Sequence, residues 1–232
     1  MCKSVDNWRA RLRTLALRSL IASLAALAIA AAAPASAQES APSAAPTVET
    51  PDAQVEIEGF RSAKFGMSVE EVRAAVEADF GLSGDEVSAG ENVAERTALL
   101  SVRADDVLAD GGPAQVSYVF GYESKTLIQV GVLWDIQSSD EAKLLANGEV
   151  LSAHFRSAGY VPSSIRSGLV LDNGILLFRG EDAEGRATVL LLQGVYSEEG
   201  EEVRKLNPTA LALLYAADAD DPDVFRVEAG QF

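Results

Sequence analysis

The chain has 232 residues, with 35 Asp and Glu against 19 Lys and Arg and a formal net charge of −16. That balance excludes polyanionic partners, because nucleic acids and anionic lipid head groups are held by clustered cations. One cysteine, Cys2, and one histidine, His154, supply little for a disulfide framework, a thiol nucleophile or a His-based metal site.

At the N-terminus, Lys3, Arg9, Arg11, Arg13 and Arg18 precede an apolar run from Leu20 through Ala33, and Ala35-Ser36-Ala37 follows as a small-x-small site. The pattern predicts a secretory signal peptide over residues 1–37, cut between Ala37 and Gln38. A retained membrane anchor is the alternative, but the apolar run is short for a span of ~20 residues. Cys2 falls in the part removed, so the expected mature chain is free of thiols, as suits a periplasmic or secreted protein. Removing the leader with its five basic residues and Asp6 leaves 14 basic and 34 acidic side chains, a balance of −20. No membrane insertion is expected after cleavage. Residues 38–55 are rich in Ala, Pro, Ser and Thr and read as a disordered linker. The remainder reads as one globular unit of two halves, residues 56–136 and 137–232.

The clearest element starts at Ser68. Ser68 and Glu71 have the spacing of a capping box, and Met67 and Val72 that of a hydrophobic staple. Val69, Val72, Val76 and Phe80 form one apolar stripe, and Gly81 supplies a left-handed stop. Glu86 to Arg96 is polar and reads as loop. Thr97 to Arg103 reads as a strand and Asp105 to Pro113 as a turn. Val116, Tyr118, Phe120 and Tyr122 alternate with smaller residues, as do Ile128, Val130, Val132 and Trp134. If these larger residues share a face, Tyr122 pairs with Thr126 across a Glu123-Ser124-Lys125 loop.

A second helix is predicted from Asp140 to about Ser157, closed by Gly159, with Asn147-Gly148 positioned to bend or split it. Strands follow at Ile175 to Arg179, Ala187 to Tyr196 and Thr209 to Ala216, the last after an acidic turn from Ser197 to Glu202. Val116 to Ser124 overlies Val189 to Ser197 at an offset of 73, and Ser68 lies 72 positions before Asp140. The expected fold class is therefore α+β: tandem αβββ repeats forming an antiparallel sheet with helices packed on one face.

The start Phe65-Gly66-Met67-Ser68-x-x-Glu71-Val72, with this element order, resembles the opening of envelope modules of the BamE/SmpA and beta-lactamase-inhibitor-protein types. The resemblance implies a helical layer on an antiparallel sheet, tandem in the inhibitor type, whose open sheet face contacts a protein partner. The disulfides common in the inhibitor type are impossible here, and the lipid anchor of the BamE type is missing. Phe60-Arg61-Ser62-Ala63-Lys64 and Asp223-Val224-Phe225-Arg226 also resemble segments of secreted bacterial proteins, which implies export and no particular activity.

For chemistry, His154 sits mid-helix and reads as a surface or partly packed side chain. No phosphate loop, dinucleotide fingerprint or nucleophile elbow is present. Carboxylate pairs could serve a small hydrolase, although the sequence singles out no pair. Asp218, Asp220, Asp221 and Asp223 could offer oxygens to calcium, but the cluster departs from the EF-hand loop and is broken by Pro222, so it reads first as a solvated turn. Ser117, Gly121, Gln129 and Gly131 would lie on the sheet face away from the helices, among Val119, Leu127 and Leu133, where small residues admit a close approach. The reading is a monomeric, non-enzymatic binding protein with no cofactor and an envelope protein partner. Carboxylate-dependent hydrolysis and a calcium-stabilised module are the alternatives.

Overall fold

Residues 55–105, 107–199 and 203–227 are described by the computed structural model. The expected signal peptide, and the linker up to residue 54, lie outside them. The described chain begins in an extended segment and a small ribbon, β1 (Gly59–Phe60) and β2 (Ala63–Lys64), turned at Arg61 with φ 52. Helix α1 (Val69–Phe80) then opens on the expected box. Glu71 N donates to Ser68 Oγ at 3.3 Å, and Ser68 N donates to the Glu71 carboxylate at 2.8 Å. Gly81 takes φ 69 and donates to Glu77 O, which ends the helix. Val72, Ala75 and Val76 are buried, with Val69 and Phe80 packed at the margins.

Where Glu86 to Arg96 reads as loop, the structure places a strand, β3 (Ser88–Asn92). All five of its residues are exposed, so no apolar alternation marks it. It is an edge strand in register with β4 (Thr97–Ala104), from Ser88 opposite Ser101 to Asn92 opposite Thr97. Then come β5 (Ala114–Phe120) and β6 (Leu127–Asp135). The expected register between them is corrected. Gly121 N, rather than Tyr122 N, bonds Thr126 O, and Phe120 pairs with Leu127. The register shifts between Val119 and Phe120, leaving Ile128 as the extra residue. A bulge of this kind reverses the facing of what precedes it. Leu127, expected on the open face, is therefore in the core.

Helix α2 (Glu141–Ser157) is capped by Asp140, whose carboxylate accepts from Lys143 N at 2.7 Å. It runs unbroken through Asn147-Gly148, and both residues face inward. Asn147 Nδ2 donates to Gly111 O at 2.8 Å. A Cβ on Gly148 would come within 2.9 Å of Leu177 Cδ1, a side-chain end that would have to give way. Gly159, at φ 82, lies just past the end. An unexpected short strand, β7 (Leu169–Leu171), precedes β8 (Gly174–Glu181). Strands β9 (Ala187–Glu199) and β10 (Val203–Ala216) run on into the segment read as an acidic turn and make a long hairpin. Within β10 the register shifts between Pro208 and Ala210, beside a proline that has no N–H to donate.

Each helix is thus followed by four strands rather than three. The sheet order is β3-β4-β5-β6-β10-β9-β8-β7, and every neighbouring pair is antiparallel. Strands β6 and β10 meet at the centre, from Asp135 opposite Ala210 to Gln129 opposite Ala216. On one face Leu100, Tyr118, Val130, Leu213, Leu190 and Phe178 join α1's Val72 and Val76 and α2's Leu144, Leu151 and Phe155 in a single core. Phe155, Tyr160 and Phe178 are in ring contact, Tyr160 to Phe178 edge-on at 4.9 Å. Such a pair contributes about 0.5–1.5 kcal/mol beyond area burial. With both helices on this face, the alternate residues of the strands look the other way.

Candidate functional site

The face without helices follows from the pairings. One row across it runs Ser101, Ser117, Gly131, Leu214 and Val189, each opposite the next on β4, β5, β6, β10 and β9. The flanking rows hold Leu99 and Val119 on one side and Gln115, Leu133 and Ala212 on the other. Leu99, Val119, Leu133, Leu214 and Val189 are only half-buried. Ser101 and Ser117 hydroxyls lie 3.2 Å apart, so each satisfies the other. An apolar, lightly polar strip with no helical cover is what this face offers.

Of the four residues singled out from sequence, Ser117 and Gly131 are direct partners in the middle of the strip and half-buried, and a Cβ on Gly131 would meet only Leu214 Cδ1, at 3.9 Å. Gly121 and Gln129 lie toward its other end and are buried, Gln129 with 8% of its surface exposed. A Cβ on Gly121 would fall on the Asp223 carboxylate. The C-terminal segment accounts for this. After β10, Ala217 N bonds Ile128 O, Asp220 comes within 3.9 Å of Arg179 on β8, and Phe225 N bonds Glu95 O beside β4. The chain end thus straps across one end of the face.

The acidic residues of this strap are engaged one by one. Asp218 Oδ1 accepts from its own neighbours, Asp220 N and Asp221 N, at 3.0 and 2.8 Å. Asp221 pairs with Arg226 at 2.7 Å. Asp223 accepts from Glu123 N at 2.9 Å and Ser124 N at 2.8 Å. Burial works against the Asp223 charge, but these amides, the Ser124 side chain and nearby Lys125 hold its carboxyl below the ordinary range. Among the described residues no three His, Cys, Asp or Glu side chains converge as a cation site would require. His154 is exposed on α2, edge-on to Phe155.

Three features escape a sequence reading. Arg96 takes φ 53 and sets its guanidinium 3.7 Å from the centre of the Phe225 ring. Tyr122 meets the same ring edge-on at 5.4 Å. Asp182, in the β8–β9 turn, is buried and clips the entering chain by accepting from Ile57 N at 2.9 Å. Only Phe225, a large aromatic in a polar tail, is visible in the sequence as a residue that wants a pocket. Among the described residues no helix is long and apolar enough to cross a membrane. No family model, curated protein or solved structure matches this chain.

Proposed function

We propose that this chain is an exported, non-enzymatic envelope protein that binds a protein partner on the helix-free face of its sheet. One observation carries the reading: Leu99, Val119, Leu133, Leu214 and Val189 are only partly buried around the Ser117–Gly131 pair, on the face that carries no helix. Partly exposed apolar side chains grouped on a sheet face without helical cover are what a protein partner can bury. The small residues at its centre let a partner's side chains approach the strands closely.

The same reading takes the two halves as a duplication of a helix followed by a meander. Strands β5 and β9 begin 73 positions apart, at Ala114 and Ala187, and the caps Ser68 and Asp140 are 72 apart. The antiparallel meeting of β6 and β10 at the sheet centre supports it, because a unit repeated about a two-fold axis would join there.

The test is site-specific photo-crosslinking in intact cells, from a photoreactive side chain at Ser117 and, as control, at His154 on the helix side. Adducts of defined mass from position 117 alone are expected. Identical adducts from both positions, or none from 117, would end the proposal.

A further inference from the structure

The strap contact has the composition of a peptide-recognition site. We propose that Arg96, Tyr122 and the Glu123 and Ser124 amides bind an acidic-x-aromatic segment of a partner protein, and that the chain's own Asp223-Val224-Phe225 fills this site when no partner is present. The proposal deepens the open-face reading, since it places a second anchor at one end of the same face.

Two subsites are separated by one residue. In the first, consecutive amides of Glu123 and Ser124 donate to the two Asp223 oxygens at 2.9 and 2.8 Å. Successive backbone N–H groups in a turn form an anion-binding concavity. The loop makes room for the carboxylate because residue 121 is glycine, and Lys125 closes the turn at φ 58. In the second subsite, the Phe225 ring meets the Arg96 guanidinium at 3.7 Å and the Tyr122 ring edge-on at 5.4 Å, and Arg96 is itself 6.0 Å from the Tyr122 ring. Arg96 reaches that position from a left-handed backbone conformation uncommon for arginine. Extended backbone links the subsites. Tyr122 N donates to Asp223 O, and Phe225 N donates to Glu95 O, both at 2.9 Å. Recognition therefore reads residues i and i+2 and leaves Val224 unread, as strand-type peptide recognition does.

The present occupant is held by little else. The Arg179–Asp220 approach is 3.9 Å with the Asp220 side chain 92% exposed, and the Arg226–Asp221 pair is internal to the strap. Segments with few buried contacts open locally at a small fraction of the global stability. A partner protein is favoured over a second copy by charge, because exchange between copies would bring another −16 against this one.

The experiment uses the full chain carrying Asp223→Ala and Phe225→Ala, and a fluorescent peptide with the sequence of residues 218–227. Anisotropy is expected to show saturable binding to the double variant, at least about tenfold tighter than to the unaltered chain, whose own strap competes. Binding is expected to disappear when the peptide's Asp and Phe are replaced by Asn and Ala, or when Arg96→Ala is added to the chain. Equal binding to both chains, or none, overturns the proposal. Hydrogen exchange on the unaltered chain serves if the variant does not fold. The Glu123, Ser124 and Phe225 amides are expected to exchange together and faster than Tyr118, and exchange only at the Tyr118 rate overturns it. A concentration-dependent dimer with exchanged straps refutes the partner assignment. Each of these failures would leave crosslinking from Ser117 unaffected, so the two readings fail separately.

Discussion

Replacing Asp182 by alanine tests the logic of the fold at its most exacting point. The carboxylate is 2% exposed and accepts four hydrogen bonds: Ile57 N at 2.9 Å, Glu184 N at 3.0 Å, Arg186 N at 2.9 Å and Arg186 Nε at 2.7 Å. The two turn amides lie where water can replace the lost acceptor. The Ile57 amide is buried, and leaving it unpaired costs about 1–3 kcal/mol. Arg186 keeps Glu184 at 2.9 Å and its side chain is 20% exposed, so losing Asp182 costs it nearer about 1 kcal/mol than the full penalty of a buried pair. The expected total is about 3 kcal/mol, with Asp182→Asn losing roughly half, because one oxygen remains for the turn amides. Urea unfolding followed by tryptophan fluorescence measures both, as a lowered midpoint at unchanged slope. An alanine variant within about 1 kcal/mol of the unaltered chain, or an asparagine variant equal to it, would refute this account of how the entering strand is held.

Other outcomes follow from single contacts. Ser68→Ala removes the α1 cap and is expected to cost about 1 kcal/mol in the same assay. Gly148→Val forces Leu177 aside and is expected to cost about 1–3 kcal/mol, whereas Gly148→Ala stays close to neutral because helix propensity offsets a small shift of one methyl group. Tyr118→Phe is expected to leave the melting temperature unchanged or raise it. The ring is wholly buried and its hydroxyl has no partner among the described residues, so burial drives that group's pKa upward. Asp223 titrates below its ordinary value of 3.8, so its hold on the strap is whole above that value and lost as the pH falls through the lower folded one. The Glu123 and Ser124 amide signals are expected to shift in that acid window before the core unfolds, and signals that change only with global unfolding would contradict it.

The elements legible from sequence are those whose causes lie within a few residues of one another. Ser68 with Glu71, and Asp140 with Lys143, fix the helix starts because cap and amide are three positions apart. Strands β5 and β6 announce themselves through alternation, and an antiparallel sheet with two helices is the α+β architecture that the element order predicts. Strand β3 leaves no such trace, because an edge strand exposed at all five positions buries no side chain and so shows no apolar alternation. Strand β7, only three residues long, is too short to show a period.

Tertiary structure decided the rest. A single bulged residue, Ile128, moved Leu127 from the open face to the core, and a period of two cannot report where it will be interrupted. The candidate face was half legible. Ser117 and Gly131 emerge where alternation puts them, while Gly121 and Gln129 are closed off at the end that the C-terminal segment crosses. Asp223 meets Glu123 and Ser124 about a hundred positions back along the chain, and Asp182 meets Ile57 across 125. Nothing near either residue in sequence specifies its partner. Side-chain chemistry declares that a carboxylate needs donors and an aromatic ring needs cover, but only the closed sheet determines which loop stands within reach.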